Sequence, residues 1–188
     1  MRLAGMMKTR LHRKNAGQKH MRFTRRTFLI VLLASWLGAR LLLAALEHHH
    51  SEDENYSRIE DGLYMGGNSI ELPPGTNAVL NLCEYKDLYE CDIHVWDKIR
   101  DSAPAPDIAW LKQKADWIDE QQHAKNTTFV HCFQGASRSG LVVAAYMMRK
   151  YGWTRDEAIT HIRAKRSQIR PNPAFMELLS EWERVLKE

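Results

Sequence analysis

Cys132 and Arg138 stand six positions apart in the run Val130-His131-Cys132-Phe133-Gln134-Gly135-Ala136-Ser137-Arg138-Ser139-Gly140. A thiol, a guanidinium and a hydroxyl around a loop of small residues suit nucleophilic attack on a bound oxyanion. A loop of this size can curl its backbone N–H groups inward, and a helix starting just after it adds the positive end of its dipole. Arg138 can grip an anion through two parallel hydrogen bonds, which an ammonium cannot do. Such a field favours the thiolate, the nucleophilic form of a cysteine. The competing reading is a buried structural cysteine in a Gly/Ser turn.

These residues need a strand to present the cysteine and a helix to receive the arginine. Thr128–His131 is expected to be that strand, and a helix is expected from near Ser139. Leu141, Ala144, Ala145 and Met148 mark its apolar stripe, which stops at Gly152. Leu63–Met65, Ala78–Leu82 and Asp92–Val95 are the other strand candidates. Ile108, Leu111, Ala115 and Ile118 mark an earlier helix with Asp107 at its N-cap. Thr154-Arg155-Asp156-Glu157 reads as a capping box for a helix carrying Ala158, Ile159 and Ile162. Phe175, Leu178, Leu179, Trp182, Val185 and Leu186 mark the last. The pattern is α/β, without internal repeats or a second folded domain.

The segment HCFQGASRSG fits the HC-x5-R-[ST] signature of cysteine-dependent protein phosphatases and most resembles the dual-specificity branch. Rhodaneses and some arsenate reductases also use cysteine–arginine anion loops, but the flanking segments extend the resemblance. Ile59–Gly67 looks like the family's opening strand, Ala78–Leu82 like its next, and Arg170-Pro171-Asn172-Pro173-Ala174-Phe175 like its closing segment. The resemblance runs from Tyr56 to the C-terminus. It implies a single compact phosphatase domain, residues 56–188, with a central, mostly parallel sheet flanked by helices.

The resemblance also implies roles. Cys132 would attack phosphorus and form a cysteinyl-phosphate, splitting hydrolysis into two easier steps. Phe133, Gln134, Gly135, Ala136 and Ser137 would supply the phosphate-binding loop, and Arg138 would hold the equatorial oxygens. Ser139 would stabilise the departing sulfur, and His131 would support the loop indirectly. The general acid would be an aspartate upstream, Asp101 or, failing that, Asp97; the Pro-rich stretch Ala103–Pro106 suits a flap. No cofactor and no metal are implied. A domain this small implies a shallow pocket, open to phosphoserine and phosphothreonine as well as phosphotyrosine. The alternatives are a phospholipid head group and a non-catalytic phosphate-binding scaffold. The loop interior has no lysine or arginine to hold further phosphates, which speaks for a monophosphate.

Ten of the 27 basic residues precede the first acid, Glu47, so residues 47–188 carry 17 basic against 23 acidic residues, a net −6. The folded part therefore offers no basic footprint for nucleic acid. Residues 1–26 read as a basic, disordered tail, and 47–55 as an acidic, His-containing linker. Thr27–Leu46 is long enough for a membrane anchor, although Arg40 interrupts it; the stretch before Arg40 has the length of a signal-peptide core. Thr24-Arg25-Arg26-Thr27-Phe28-Leu29 also resembles a twin-arginine export signal, and a mitochondrial presequence is a third reading. The basic flank predicts a cytoplasmic N-terminus with the catalytic domain across the membrane. Cys83, at the C-terminal end of the strand expected beside the one ending at Cys132, is a candidate for a reversible disulfide with it. Cys91 has no assigned role.

Overall fold

A computed structural model describes residues 55–69 and 71–188, together with Gly38 and Arg40. The chain divides into two compact units, 1–42 and 43–188. In the first, Gly38 and Arg40 are helical and exposed. The basic tail, the linker and the rest of the expected anchor lie outside the described residues. Among the described residues, no helix is long and apolar enough to cross a membrane.

The second unit holds strands β1 (Tyr56–Glu60), β2 (Leu63–Gly66), β3 (Thr76–Asn81), β4 (Ile93–Trp96) and β5 (Thr127–His131). Its helices are α1 (Ile108–His123), α2 (Arg138–Tyr151), α3 (Arg155–Lys165) and α4 (Pro173–Val185). The sheet order is β1-β2-β5-β3-β4; β1 and β2 are antiparallel and every other pairing is parallel. The mostly parallel, helix-flanked α/β sheet expected from the sequence is therefore present. Ile59–Gly67, read as one strand, is two: the chain turns at Asp61-Gly62, where Gly62 has φ +73°. Glycine takes that conformation without a Cβ penalty. β4 starts one residue later than expected, and α2 one residue earlier.

Side-chain alternation divides the sheet. Leu63, Met65, Leu80 and Val130 face the main core, which also takes the apolar stripes of all four helices. Tyr56, Val79 and Phe129 face the other way and are covered by Tyr64, Leu72, Tyr89 and Cys91. The helix ends are set locally. Asp107 Oδ1 accepts from Trp110 N at 2.8 Å, and Thr154 and Glu157 complete their capping box. Asn172 caps α4 with Pro173 in its first turn, and Gly152 closes α2 at φ +66°. The result is a strand, β5, paired on both sides and followed by a short loop into α2.

Candidate active site

β5 ends at His131 and α2 starts at Arg138, so Cys132–Ser137 form the intervening loop. Its outer rim is held by donors from elsewhere in the chain. Asn68 N donates to Phe133 O (3.0 Å), Gln168 Nε2 and Arg166 Nη2 to Gln134 O (both 3.1 Å), Arg166 Nε to Gly135 O (2.6 Å) and Arg170 N to Ala136 O (2.9 Å). In a trans peptide the C=O and the next N–H point in opposite directions. Drawing four successive carbonyls outward therefore turns the N–H groups of Gln134, Gly135, Ala136 and Ser137 inward, as an anion cradle requires.

Arg166, at the end of α3, is the main anchor of this arrangement. It is buried, and its Nη2 also donates to Asn55 Oδ1 at 2.9 Å. Burial draws its pKa down, and the charge of Cys132 partly offsets that. Gly135 is required by two constraints: its φ is +67°, and a Cβ there would collide with the backbone of Gly66 and Gly67.

Cys132 is 1% exposed, and its Sγ lies 3.3 Å from Ser139 Oγ. Arg138 is buried beside them. Its Nη1 donates to Glu84 Oε2 (2.7 Å) and reaches the carbonyls of Leu82 and Ile99 (both 3.3 Å). The hydrogen bond from Arg138 holds the Glu84 carboxyl below the usual range. Arg138 Nε has no hydrogen-bond partner among the described residues and lies 3.9 Å from Asp101 Oδ2.

The two candidate acids have different surroundings. Asp101 Oδ1 accepts from Ser137 Oγ at 2.5 Å and from Asn172 Nδ2 at 2.8 Å. It shares an open cleft of about 890 Å³ with Phe133, Gln134, Ala136 and Ser137. Asp97 instead accepts from Trp110 Nε1 at 3.0 Å and pairs with the buried Lys114, both on α1. The structure thus brings Asp101 to the loop and ties Asp97 to a helix.

His131 points away from the loop, on the Phe129 face, and meets Asp87 and Tyr89. Cys83 and Cys132 are buried and Cys91 is partly exposed; all three are free, so the disulfide considered for Cys83 and Cys132 is not formed. Burial, reinforced by the charge of Cys132, pushes the Cys83 thiol up to about 12. Sequence reading missed Arg166, Glu84, Asn172 and Asp87 as parts of the site. Two had a signal: Asn172 lies in the Arg170–Phe175 segment that carries the family resemblance, and Glu84 follows Cys83 off the C-terminal end of β3, toward the crevice where an open α/β sheet places its ligands.

A model of the dual-specificity phosphatase catalytic domain matches residues 75–185. The chain belongs to that family. Protein phosphatase Slingshot homolog 1 of Mus musculus is 33% identical over 138 residues, covering 69% of this chain and 13% of that protein. Dual specificity protein phosphatase 1 of Arabidopsis thaliana is 29% identical over 148 residues, covering 73% and 74%. The chain thus spans a small part of the one relative and most of the other.

Among solved structures, PTPMT1 in complex with PI(5)P superposes with a TM-score of 0.63 at 24% identity, covering 71% of this chain and 97% of that one. The human tyrosine phosphatase-like serine/threonine/tyrosine-interacting protein gives 0.65 at 21%, covering 72% and 99%. These likenesses establish a shared phosphatase fold. Within it, the loop can hold a tetrahedral anion against a thiol, with a carboxyl group at its rim.

Proposed function

We propose that the chain hydrolyses phosphate monoesters on proteins, accepting phosphotyrosine and phosphoserine or phosphothreonine, through a cysteinyl-phosphate intermediate. The observation that carries this reading is the loop of outward-held carbonyls with Cys132 Sγ beside Ser139 Oγ and Asp101 docked on Ser137. The Cys132 thiolate attacks phosphorus, the P–O ester bond breaks, and the leaving oxygen takes a proton from Asp101. Water then attacks phosphorus and gives its proton to the Asp101 carboxylate. The S–P bond breaks as the Ser139 hydroxyl donates to the sulfur. The inward amides and Arg138 hold the equatorial oxygens throughout, so charge stabilisation and positioning carry most of the rate.

The protein-substrate reading draws on the open cleft, whose rim carries Phe133, Pro171, Pro173 and Met176 and can seat a peptide on either side of the phosphate. A second reading, a phospholipid head group, is favoured by the fold likeness to PTPMT1 crystallised with PI(5)P and by the apolar run 27–46. The deciding experiment compares phosphopeptides carrying each phosphoresidue with phospholipid vesicles, using the full chain and Cys132→Ser. Cys132-dependent turnover confined to vesicles would overturn the protein reading. No turnover of either class, nor of an aryl phosphate, by folded and reduced protein would favour a phosphate-binding scaffold.

On the charge asymmetry of the sequence, we also propose that 27–46 anchors the chain with its N-terminus in the cytoplasm and residues 47–188 across the membrane. A reporter fused after Glu188 that is active only in the cytoplasm would sink this topology.

A further inference from the structure

Behind the nucleophile loop, on the sheet face opposite the helices, runs a chain of polar side chains to which the proposed reaction gives no role. His131 is completely buried and stacked on Phe129, ring centroids 5.0 Å apart. Its Nε2 lies 3.0 Å from Asp87 Oδ2 and 3.1 Å from the Tyr89 hydroxyl. The same Asp87 oxygen is 2.9 Å from His94 Nε2, and His94 stacks on Tyr89 at 5.8 Å. Side-chain exposure falls from 24% at His94 to 1% at Asp87 and 0% at His131. The chain therefore runs from the surface to the residue bonded to Cys132. On the other side of the imidazole, Nδ1 lies 3.9 Å from Cys83 Sγ.

The direction of each hydrogen bond follows from which groups hold protons. Burial raises the Asp87 pKa, but the contacts with His131, His94 and Tyr89 outweigh it and hold the carboxyl below its usual range. As an anion it can only accept, so both Nε2 atoms that face it must donate. Burial, with Asp87 adding to it, pushes Tyr89 up, so its hydroxyl keeps its proton. Cys83 is held as a thiol against the pull of Arg138, with Cys132, Asp87 and Glu84 acting in the same direction as burial. Its S–H is a weak donor that faces Nδ1, and Nδ1 can accept it when the ring carries a single hydrogen, on Nε2.

We propose that Asp87 and Cys83 are positioning residues of the phosphatase, pinning His131 as the Nε2–H tautomer from both ring nitrogens and thereby fixing the turn that presents Cys132. His94 completes the device by holding the Asp87 carboxylate at the surface end. The inference rests on the reading of Cys132 as the nucleophile. It recasts Cys83 as a hydrogen-bond donor to His131, where the sequence suggested a disulfide partner for Cys132.

The test uses the full chain with 15N-labelled histidine. Long-range proton–nitrogen correlations report the tautomer of His131, assigned by its loss in His131→Gln. The wild type should show a single Nε2–H form at neutral pH. Asp87→Asn should replace it with a tautomer mixture, slow iodoacetate alkylation of Cys132, and lower kcat/KM about tenfold, which corresponds to about 1.4 kcal/mol. Cys83→Ala should lower kcat without raising KM, and Cys83→Ser, which keeps a donor, should restore it. An Nδ1–H or doubly protonated His131 in the wild type would overturn the proposal. So would an Asp87→Asn protein with the Nε2–H signature and alkylation rate intact. If Asp87→Asn fails to fold, identical behaviour of Cys83→Ala and Cys83→Ser is the overturning result. The tautomer and the alkylation rate are read without substrate, so a chain that turns over no phosphate ester fails as an enzyme separately from this proposal.

Discussion

Ser137 Oγ donates to Asp101 Oδ1 at 2.5 Å, joining the last residue of the anion loop to the carboxyl group at its rim. Asn172 Nδ2 donates to the same oxygen, and Asn172 N donates to Ser137 Oγ at 3.1 Å. Three segments distant in sequence thus meet at one carboxyl group, and its position is set by the loop that would hold the phosphate.

Asp101→Asn should therefore lose turnover in proportion to how much the leaving group needs a proton. General acid catalysis contributes about 10²–10⁴-fold, so alkyl phosphates should lose about that much and activated aryl phosphates far less. A series of leaving groups of graded pKa measures it. Asp97→Asn should leave that dependence unchanged and lower the melting temperature, because it strands the buried Lys114. The reverse pattern would make Asp97 the acid.

Arg166 carries a different prediction. Arg166→Ala removes the donor to Gly135 O and one donor to Gln134 O, and leaving a buried acceptor unsatisfied costs about 1–3 kcal/mol. Stability and phosphate affinity should fall together, measured by denaturant unfolding and vanadate titration. Gly135→Ala should do more damage. Its φ of +67° alone costs about 1–3 kcal/mol for a non-glycine residue, and the Cβ also meets the Gly66–Gly67 backbone.

Asp87 sets an acid limit on stability. Its folded-state pKa lies below its ordinary value, so its contribution is complete above about pH 4 and lost as pH falls through the folded value. Asp87→Asn should be less stable than the wild type at neutral pH, and the gap should close in acid. Urea unfolding at neutral pH and at about pH 3 reads this directly. A gap that persists or widens in acid would be the contrary result.

The thiols should differ in reactivity. With its pKa pushed up to about 12, Cys83 remains a thiol through neutral and mildly alkaline pH, and the thiol is the unreactive form. Peptide mapping after brief iodoacetate treatment of the folded protein should find Cys132 carboxymethylated and Cys83 untouched. Modification of Cys83 first would be the contrary result.

The parts of this molecule that were legible in the sequence are those whose causes are local. The six-residue interval from Cys132 to Arg138 gave the loop, and Asp107, Thr154 and Gly152 marked helix ends because capping is written within four residues. Asp101 and Asp97 could not be separated by residue type alone; Ser137 and Asn172, 36 and 71 positions along the chain from Asp101, distinguish their surroundings. Arg166 went unread because most of its partners are backbone carbonyls, which leave no trace in side-chain patterning. Asp87 looked like one more acid in a polar stretch until the fold placed it against His131, 44 residues away.

The sheet order also separates timescales. β5 is hydrogen-bonded on both sides, by β2 and β3, and Thr128, Phe129, Val130 and His131 are all buried. Amides in such a strand exchange with solvent only through the largest opening events, whereas exposed loop segments exchange through small local ones. Asp101 and residues 102–104, which follow it toward α1, are exposed and lie outside any strand or helix. The nucleophile thus sits at the end of a strand bonded on both sides, and the candidate proton donor sits at the start of an exposed segment. Amide exchange should therefore be far slower along the strand that holds the thiol than in the segment that follows the acid.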